Sequence, residues 1–313
     1  MSKVDPLVSV CMITYNHEKY ISQAIEGVLI QQTNFAFELI IGEDCSTDNT
    51  RKICLEYKEK YPNIIRLLLP DVNLGMSKNF IETIQAATGK YIAFCEGDDY
   101  WTDSEKLQKQ VSFLDANQKY SFCCHRFRVL NDITKKWDED VPNNYRARLF
   151  EGKEHIDISL ESQFKVWLTQ PLTVVFCREK LSLEEARKYK YFRDVHLFFL
   201  LLSRGGGRCI NFVGAVYRQH DGGVYSRIPY EKKMYDSLQI QKELYLHNKD
   251  NEVLKRVYRK VIEKYLARFA KNDIETKILK CEYKKLTDSK FSGLTLKFHI
   301  MYHLLKDIYI KFK

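Results

Sequence analysis

The chain has 313 residues, 45% hydrophobic and 29% charged, which allows one large hydrophobic core or two smaller ones and excludes a disordered protein. Its longest apolar run, residues 197–202, is far shorter than the roughly 20 residues of a membrane-spanning helix, and no secretory signal is apparent at the N-terminus. The net charge of +9 is uneven: residues 1–223 carry 29 Lys and Arg against 30 Asp and Glu, and residues 224–313 carry 21 against 11. The near-neutral body argues against a general nucleic-acid-binding protein, and the basic C-terminal region needs its own explanation.

Strand-like and helix-like segments alternate along the first hundred residues. Runs rich in β-branched residues predict strands at 7–13, 37–41, 64–69 and 91–95. Apolar residues at helical spacing, with Pro62 and Gly89 ending two of the helices, predict helices at 18–32, 47–61 and 78–87. The order βαβαβαβ predicts an α/β fold with a Rossmann-like, mostly parallel, doubly wound sheet, whose ligands bind beyond the carboxyl ends of the strands.

The later part of the chain continues the pattern and then changes to helix alone. We predict a helix at 104–117, a strand at 121–130, a polar surface excursion at 131–160 and a strand at 172–177. An apolar helix at 194–203 ends at the glycines 205–207, and a last strand covers 209–217. We therefore predict a domain at 1–226, with halves at about 1–117 and 118–226, and a basic helical C-terminal region at 227–313.

Three carboxylates, Glu96, Asp98 and Asp99, follow the fourth predicted strand within four residues. Like charges this close repel one another unless a cation lies among them, and a divalent ion shared with substrate phosphates is the usual solution. A solvated acidic turn is the alternative. The position of the cluster at a strand end, beside Tyr100 and Trp101, favours the metal.

Polar residues also follow the first two strands. Asp44 ends the second strand, where an acid in a doubly wound fold commonly accepts hydrogen bonds from a nucleoside; the alternative is a helix cap. Thr14, Tyr15 and Asn16 follow the first strand without a glycine-rich loop. That absence argues against a dinucleotide-binding fingerprint and against a P-loop.

Four motifs in order resemble those of family 2 glycosyltransferases of the GT-A fold, of the bacterial polysaccharide or lipopolysaccharide type. Three are VSVCMITYNHEKYISQAIEGVLIQQ, IIGEDCSTDNT and FCEGDDYWTDSEKLQKQ. The fourth joins Phe192-Arg193-Asp194 to VYRQH and the Gly-Gly-Val that ends at residue 224. The resemblance covers roughly residues 7–226 and implies inverting transfer from a nucleoside-diphosphate sugar, most readily a UDP-sugar, to a glycan or lipid-linked acceptor.

The resemblance also implies a role for individual residues. Those at the nucleotide sugar would be Thr14, Tyr15, Asn16, Asp44, Glu96 and Asp98. Those at a divalent metal, Mn or Mg, would be Asp98, Asp99 and His220. Asp194 would be the catalytic base. One base and one metal cluster suffice for this chemistry, because the base takes the acceptor proton and the metal stabilises the departing diphosphate.

Some positions depart from the family pattern or have a plainer explanation. Glu96 replaces the usual first Asp of the acidic motif, and Cys45 stands where glycine is common. Asp194 could instead cap the helix that follows it, and His220 could be a packing residue. Two other functions stay open: a sugar-nucleotide nucleotidyltransferase, which would normally need a glycine-rich basic loop after strand one, and a nucleotide-sugar-binding module without catalysis.

The basic C-terminal region has two interpretations. Its last segment, 291–312, places an apolar stripe beside lysines, as in a helix that lies on anionic lipid. A helical subdomain with a solvated basic face is the alternative. Nine cysteines without a CxxC pair indicate free thiols in a reducing compartment, so we expect a cytoplasmic protein, with peripheral contact at the inner face of the membrane as the further expectation.

Overall fold

The computed structural model describes residues 5–138, 148–223, 228–270 and 273–287, together with Leu296 and Met301. The chain divides into two compact units, Met1–Ser226 and Arg227–Lys313. The apolar stripe predicted for 291–312 lies outside the described residues, except for Met301.

The first unit contains ten strands and seven α-helices among its described residues. The strands are β1 (Val8–Thr14), β2 (Phe37–Glu43), β3 (Ile65–Leu68), β4 (Tyr91–Phe94), β5 (Tyr100–Trp101), β6 (Tyr120–Asn131), β7 (Lys136–Asp138), β8 (His155–Ile158), β9 (Val175–Cys177) and β10 (Gly206–Gln219). The helices are α1 (Ile21–Leu29), α2 (Thr50–Lys60), α3 (Met76–Gln85), α4 (Lys106–Ala116), α5 (Leu160–Lys165), α6 (Leu183–Ala186) and α7 (Asp194–Leu202). Short 3-10 turns cover Pro171–Thr173 and Arg178–Lys180.

All ten strands belong to one sheet with the order β3-β2-β1-β4-β9-β6-β10-β5, and β7 and β8 pair outside this path. The strands β3, β2, β1 and β4 are parallel neighbours, and β6 is parallel to β10. Strand β9 runs antiparallel between β4 and β6 and joins the two halves of the sheet. The predicted α/β fold with a mostly parallel sheet is therefore confirmed.

Burial explains why β1 and β4 could be predicted from the sequence. Six of the seven residues of β1 are buried, and β4 is buried throughout. A strand covered on both faces has a nearly continuous apolar sequence, and this apolar run is what indicates a strand. Helix α1 packs against this sheet through residues at helical spacing, among them Ile21, Ile25 and Val28.

Three short strands were not predicted. Strands β7 and β8 lie within the segment predicted as a surface excursion, and β5 has only two residues. Within the part of the chain that the structure describes, β7 pairs with β6, and β8 and β5 each pair with β10. Strands this short owe their conformation to their partner, so their own sequence carries little strand signal.

Strand β10 begins at Gly206, where the sequence predicted the end of a helix. A Cβ on Gly207 would lie 2.2 Å from the ring of Phe122 on the neighbouring strand β6. The glycine is therefore required by close strand packing, a contact that the local sequence does not reveal.

The second unit is helical in its described part, with α8 (Tyr230–His247), α9 (Glu252–Phe269) and α10 (Ile274–Leu286). Its core includes Leu238, Tyr258, Ile262 and Tyr283. The hydroxyl of Tyr283 on α10 donates a hydrogen bond to the buried carboxylate of Glu263 on α9, so this acid has a partner. Among the described residues, no helix is both long and apolar enough to cross a membrane.

Lys106, the first residue of α4, is an unusual member of the core because its side chain is completely buried. Its Nζ lies 3.9 Å from the ring centroid of Trp101 and has no hydrogen-bond acceptor among the described residues. Burial lowers the pKa of this amine from 10.5 to about 7, since the ammonium ion has lost its hydration.

We expect Lys106→Met to stabilise the protein near pH 6 by about 3 kcal/mol. The change in pKa corresponds to roughly 5 kcal/mol against the charged form, and the contact with Trp101 offsets about 2 kcal/mol of it. Between pH 7 and 10.5 the unfolded chain keeps a proton that the native state has lost, so the stability of the wild type rises with pH there.

Urea unfolding of both proteins at several pH values measures this effect. The advantage of Lys106→Met should shrink as the pH rises from 7 to 10, and the exposed Lys52→Met should show no such trend. A difference between wild type and Lys106→Met that is independent of pH would contradict the prediction.

Candidate active site

The candidate site lies at the carboxyl ends of β1, β4 and β10. Strand β1 is the parallel neighbour of both β2 and β4, so the polar segments after these strands emerge at one edge of the sheet. Strand β10 lies at the same edge because it pairs with β5: Val216 of β10 is paired with Tyr100, which directly follows the acidic turn. Segments more than a hundred residues apart in sequence therefore meet at this edge.

The turn after β4 is held tightly against the end of β1. The backbone N–H of Gly97 donates to the carbonyl of Ile13 at 3.0 Å. A Cβ at Gly97 would lie 2.5 Å from Oγ1 of Thr14 and 3.1 Å from Nδ1 of His17. Glycine at this position is what allows the acidic turn and the segment after β1 to approach each other.

The three residues at and just after the end of β1 that were assigned to the nucleotide have different environments. Thr14 is buried and its Oγ1 lies 3.2 Å from Nδ1 of His17, whereas Tyr15 is 43% exposed. Asn16 adopts the left-handed conformation, with φ 55°, and its Oδ1 accepts a hydrogen bond from the N–H of Thr47. Its side chain therefore holds the loop after β2, and Tyr15 is the member of the three that offers an accessible ring.

Asp44 is buried and accepts two backbone hydrogen bonds, from the N–H of Leu74 at 2.7 Å and from Gly75 at 3.0 Å. Its carboxylate thus fixes the loop between β3 and α3, a role that is neither of the two considered from sequence. A carboxylate has further lone pairs, so a nucleoside could still donate to it. Cys45 has φ 60°, in the left-handed region that glycine adopts more easily than other residues.

Glu96 projects a carboxylate with an unsatisfied oxygen. Its Oε2 is buried and has no hydrogen-bond partner among the described residues. Burial, reinforced by the charge of Asp98, raises the pKa of Glu96 to about 8, and Asp194 contributes in the same direction. A hydroxyl or N–H of a ligand would satisfy this oxygen.

Asp98 lies between two imidazoles. Its Oδ2 is 3.1 Å from Nε2 of His220 and 3.7 Å from Nε2 of His17. Burial by itself would raise the pKa of Asp98, but the hydrogen bond from His220 and the charges of the two rings outweigh burial and hold this pKa below its usual range. Burial lowers the pKa of His17, so this ring favours its neutral form, the form that binds metals.

Among the described residues, these three side chains form a group that could hold a metal. Each of His17, Asp98 and His220 offers one ligand atom, and the atoms lie within 4.8 Å of one another. The N–H of Gly222 donates to Nδ1 of His220, which assigns the proton of the neutral ring to Nε2; a bound ion would replace that proton. Two imidazoles and one carboxylate suit a divalent transition metal such as Mn²⁺ better than Mg²⁺, which prefers oxygen ligands.

Asp99, the third acid of the turn, interacts with the backbone of Arg218 and not with the two histidines. It is buried, and its Oδ1 accepts a 2.8 Å hydrogen bond from the backbone N–H of Arg218. Burial, with the charges of Asp98 and Glu96, raises the pKa of Asp99 well above its usual value. The structure therefore groups His17, rather than Asp99, with Asp98 and His220.

Asp194 is the first residue of α7 and is only partly buried. Its Oδ1 accepts a 2.8 Å hydrogen bond from the N–H of Val195, and Arg193 occupies the N-cap position. Burial raises the pKa of Asp194 even though the bond from Val195 and the charge of Arg193 act to lower it. A carboxylate with a raised pKa is a stronger base, and the charge of Asp194 in turn contributes to the raised pKa of Glu96.

Sequence reasoning missed His17 and Arg218 as individual site residues. The signal for His17 was its position as the fourth residue of the polar segment that begins at Thr14. Arg218 stands within the VYRQH segment but was given no role. The aromatic pair after the acidic motif contributes mainly packing: Trp101 is buried, and its Nε1 donates to the carbonyl of Leu172 at 2.8 Å.

Comparison with known proteins adds a family and several relatives. The family model described as "Glycosyl transferase family 2" matches residues 9–169. An uncharacterised protein of Mycobacterium tuberculosis is 35% identical over 218 residues, which is 70% of this chain and 60% of that protein. The chain therefore spans about three fifths of the length of this relative.

Two further similarities are to a named glucosyltransferase and to a solved structure. The Escherichia coli protein WfgD, named a UDP-Glc:α-D-GlcNAc-diphosphoundecaprenol β-1,3-glucosyltransferase, is 35% identical over 128 residues, 41% of this chain and 48% of WfgD. The crystal structure of S. aureus TarS residues 1–349 in complex with UDP-GlcNAc superposes with a TM-score of 0.63, at 19% identity, and covers 95% of this chain and 88% of TarS 1–349. The fold of the chain is thus the GT-A fold.

Proposed function

The chain belongs to glycosyl transferase family 2, and from this premise we propose that it transfers a sugar from a nucleoside-diphosphate sugar to a glycan or lipid-linked acceptor, with inversion at the anomeric carbon. The observation that carries the proposal is the group of His17, Asp98 and His220, which offers metal ligands at the acidic turn, together with Asp194, a carboxylate whose raised pKa suits a general base. Inverting transfer needs one base to take the proton of the acceptor hydroxyl as it attacks.

Donor binding would use the residues at the ends of β1, β2 and β4. The accessible ring of Tyr15 suits a nucleobase, and the unsatisfied Oε2 of Glu96 suits a ribose hydroxyl. Thr14, Asn16 and Asp44 would shape the pocket by holding the surrounding loops. TarS was crystallised with UDP-GlcNAc and WfgD is named for UDP-Glc, which supports a UDP-sugar as the donor.

A divalent ion, Mn²⁺ by preference, would be held by His17, Asp98 and His220. When bound it supplies positive charge that stabilises the departing diphosphate. The chain itself contributes the alignment of these ligands and a carboxylate, Asp194, that holds the acceptor proton. Asp99 stabilises the turn through its bond with the backbone of Arg218.

The proposed acceptor rests on the name of one relative and on the positive charge of the C-terminal region. WfgD is named for a diphosphoundecaprenol-linked acceptor, which supports a lipid-linked glycan here. Such an acceptor lies at a membrane surface, and the excess of 21 Lys and Arg over 11 Asp and Glu in residues 224–313 would attract anionic lipid. We therefore propose peripheral contact of the basic region with the inner face of the membrane.

A transfer assay tests the proposal. Purified protein with Mn²⁺, a panel of radiolabelled nucleotide sugars and an undecaprenyl-diphosphate-linked sugar in vesicles should yield a labelled lipid product from a UDP-sugar, with the anomeric configuration opposite to that of the donor by NMR. Vesicles containing phosphatidylglycerol should support faster transfer than neutral vesicles. A product that retains the donor configuration would contradict the mechanism, and equal rates on both vesicles would contradict the membrane contact.

A further inference from the structure

Arg218 connects three separate segments at the candidate site. It lies near the end of β10 and is only 8% exposed, which is unusual for an arginine. Its Nε donates to the backbone carbonyl of Asp98 at 2.9 Å, and Nη2 donates to Oε1 of Gln23 on α1. Its own backbone N–H donates to Asp99. Arg218 therefore holds the acidic turn through both its backbone and its side chain.

Two aromatic rings enclose the same guanidinium. The carbon Cζ of Arg218 is 4.7 Å from the ring centroid of Tyr20 and 5.1 Å from that of Tyr100. The ring of Tyr20 packs in turn against His220, with 4.5 Å between centroids, and its hydroxyl donates to Asp132. The guanidinium, Tyr20 and His220 thus form a continuous packed row beside Asp98.

We propose that Arg218, with Tyr20, is a positioning residue for the metal ligands Asp98 and His220. Asp98 is held through its carbonyl oxygen, and His220 is held through the ring of Tyr20. Neither interaction uses the atoms that would face the ion, so the Arg218 side chain can orient the ligands without touching the metal. Groups that orient metal ligands commonly change metal affinity by about 10–100-fold when they are removed.

The inference rests on the proposed metal site, and it is tested with Mn²⁺ alone. Free Mn²⁺ is counted by electron paramagnetic resonance during titration of the full-length protein without donor or acceptor. Arg218→Met should weaken Mn²⁺ binding by at least tenfold, because the carbonyl of Asp98 and the ring of Tyr20 lose their shared partner. Arg218→Lys should lose less, since a cation remains against Tyr20 and one donor remains for the carbonyl.

Arg208→Met is a matched control on the same strand. Arg208 also makes side-chain hydrogen bonds, to Asp157 and Tyr120, and its Cζ lies 4.6 Å from the ring centroid of Tyr120. It differs from Arg218 in lying near the opposite end of β10. Its substitution should cost comparable packing while leaving the affinity for Mn²⁺ unchanged.

Two results would overturn the inference and one would overturn its premise. Unchanged Mn²⁺ affinity in a folded Arg218→Met would remove the positioning role. Weaker binding of UDP without metal, with Mn²⁺ affinity intact, would show that Arg218 contacts the donor instead. If Arg218→Met does not fold, Arg218→Lys decides between these outcomes. A wild-type protein that binds no Mn²⁺ would refute the metal site itself, whatever the variants do.

Discussion

Replacement of Asp194 by Asn should reduce sugar transfer by roughly 10²–10⁴-fold while leaving donor binding intact. Asn keeps an oxygen that can accept the hydrogen bond from Val195 N–H, so the start of α7 is preserved. It cannot accept the proton of the acceptor hydroxyl. The substitution therefore separates the catalytic role of Asp194 from its role at the helix terminus.

The measurement combines steady-state transfer rates with calorimetric titration of UDP. In the wild type the rate should rise with pH through a pKa above 3.8, the usual value for Asp, because burial raises the pKa of Asp194 and only its ionised form can act as a base. Asp194→Asn should lose this dependence. The surface variant Asp157→Asn should behave like wild type, and unimpaired turnover in Asp194→Asn would exclude it as the base.

Replacement of Asp98 by Asn should weaken Mn²⁺ binding and reduce transfer by roughly 10²–10³-fold at fixed Mn²⁺. The neutral amide removes the one charged ligand of the group formed with His17 and His220. Chelation with EDTA should abolish wild-type transfer to a similar extent, and added Mn²⁺ should restore it.

Asp99→Asn is the informative comparison for this prediction. The carboxylate of Asp99 accepts a hydrogen bond from the backbone of Arg218, and an amide oxygen can do the same. Asp99→Asn should therefore retain Mn²⁺ affinity within about threefold, whereas His17→Ala should lose it. Loss of Mn²⁺ affinity in Asp99→Asn, with affinity retained in His17→Ala, would instead support the ligand set inferred from sequence, namely Asp98, Asp99 and His220.

The course of the chain through the first half of the sheet was predictable because its signals are local. Strands β1 and β4 are buried and apolar, and helix α1 between β1 and β2 carries apolar residues at a regular spacing. The short strands β5, β7 and β8 were not predictable, because each depends on pairing with β6 or β10. The need for glycine at position 207 was not predictable either, since it comes from Phe122 on another strand.

The sequence by itself determined that acids follow the strand ends, because their position after each apolar run is a local property. The tertiary structure alone decided how those acids are used. Asp98 meets a histidine directly after β10, Asp99 accepts a hydrogen bond from the backbone of Arg218, and Asp44 accepts hydrogen bonds from a loop thirty residues away. A side chain's direction after a turn depends on the partners that packing brings to it, and these partners come from distant segments of the chain.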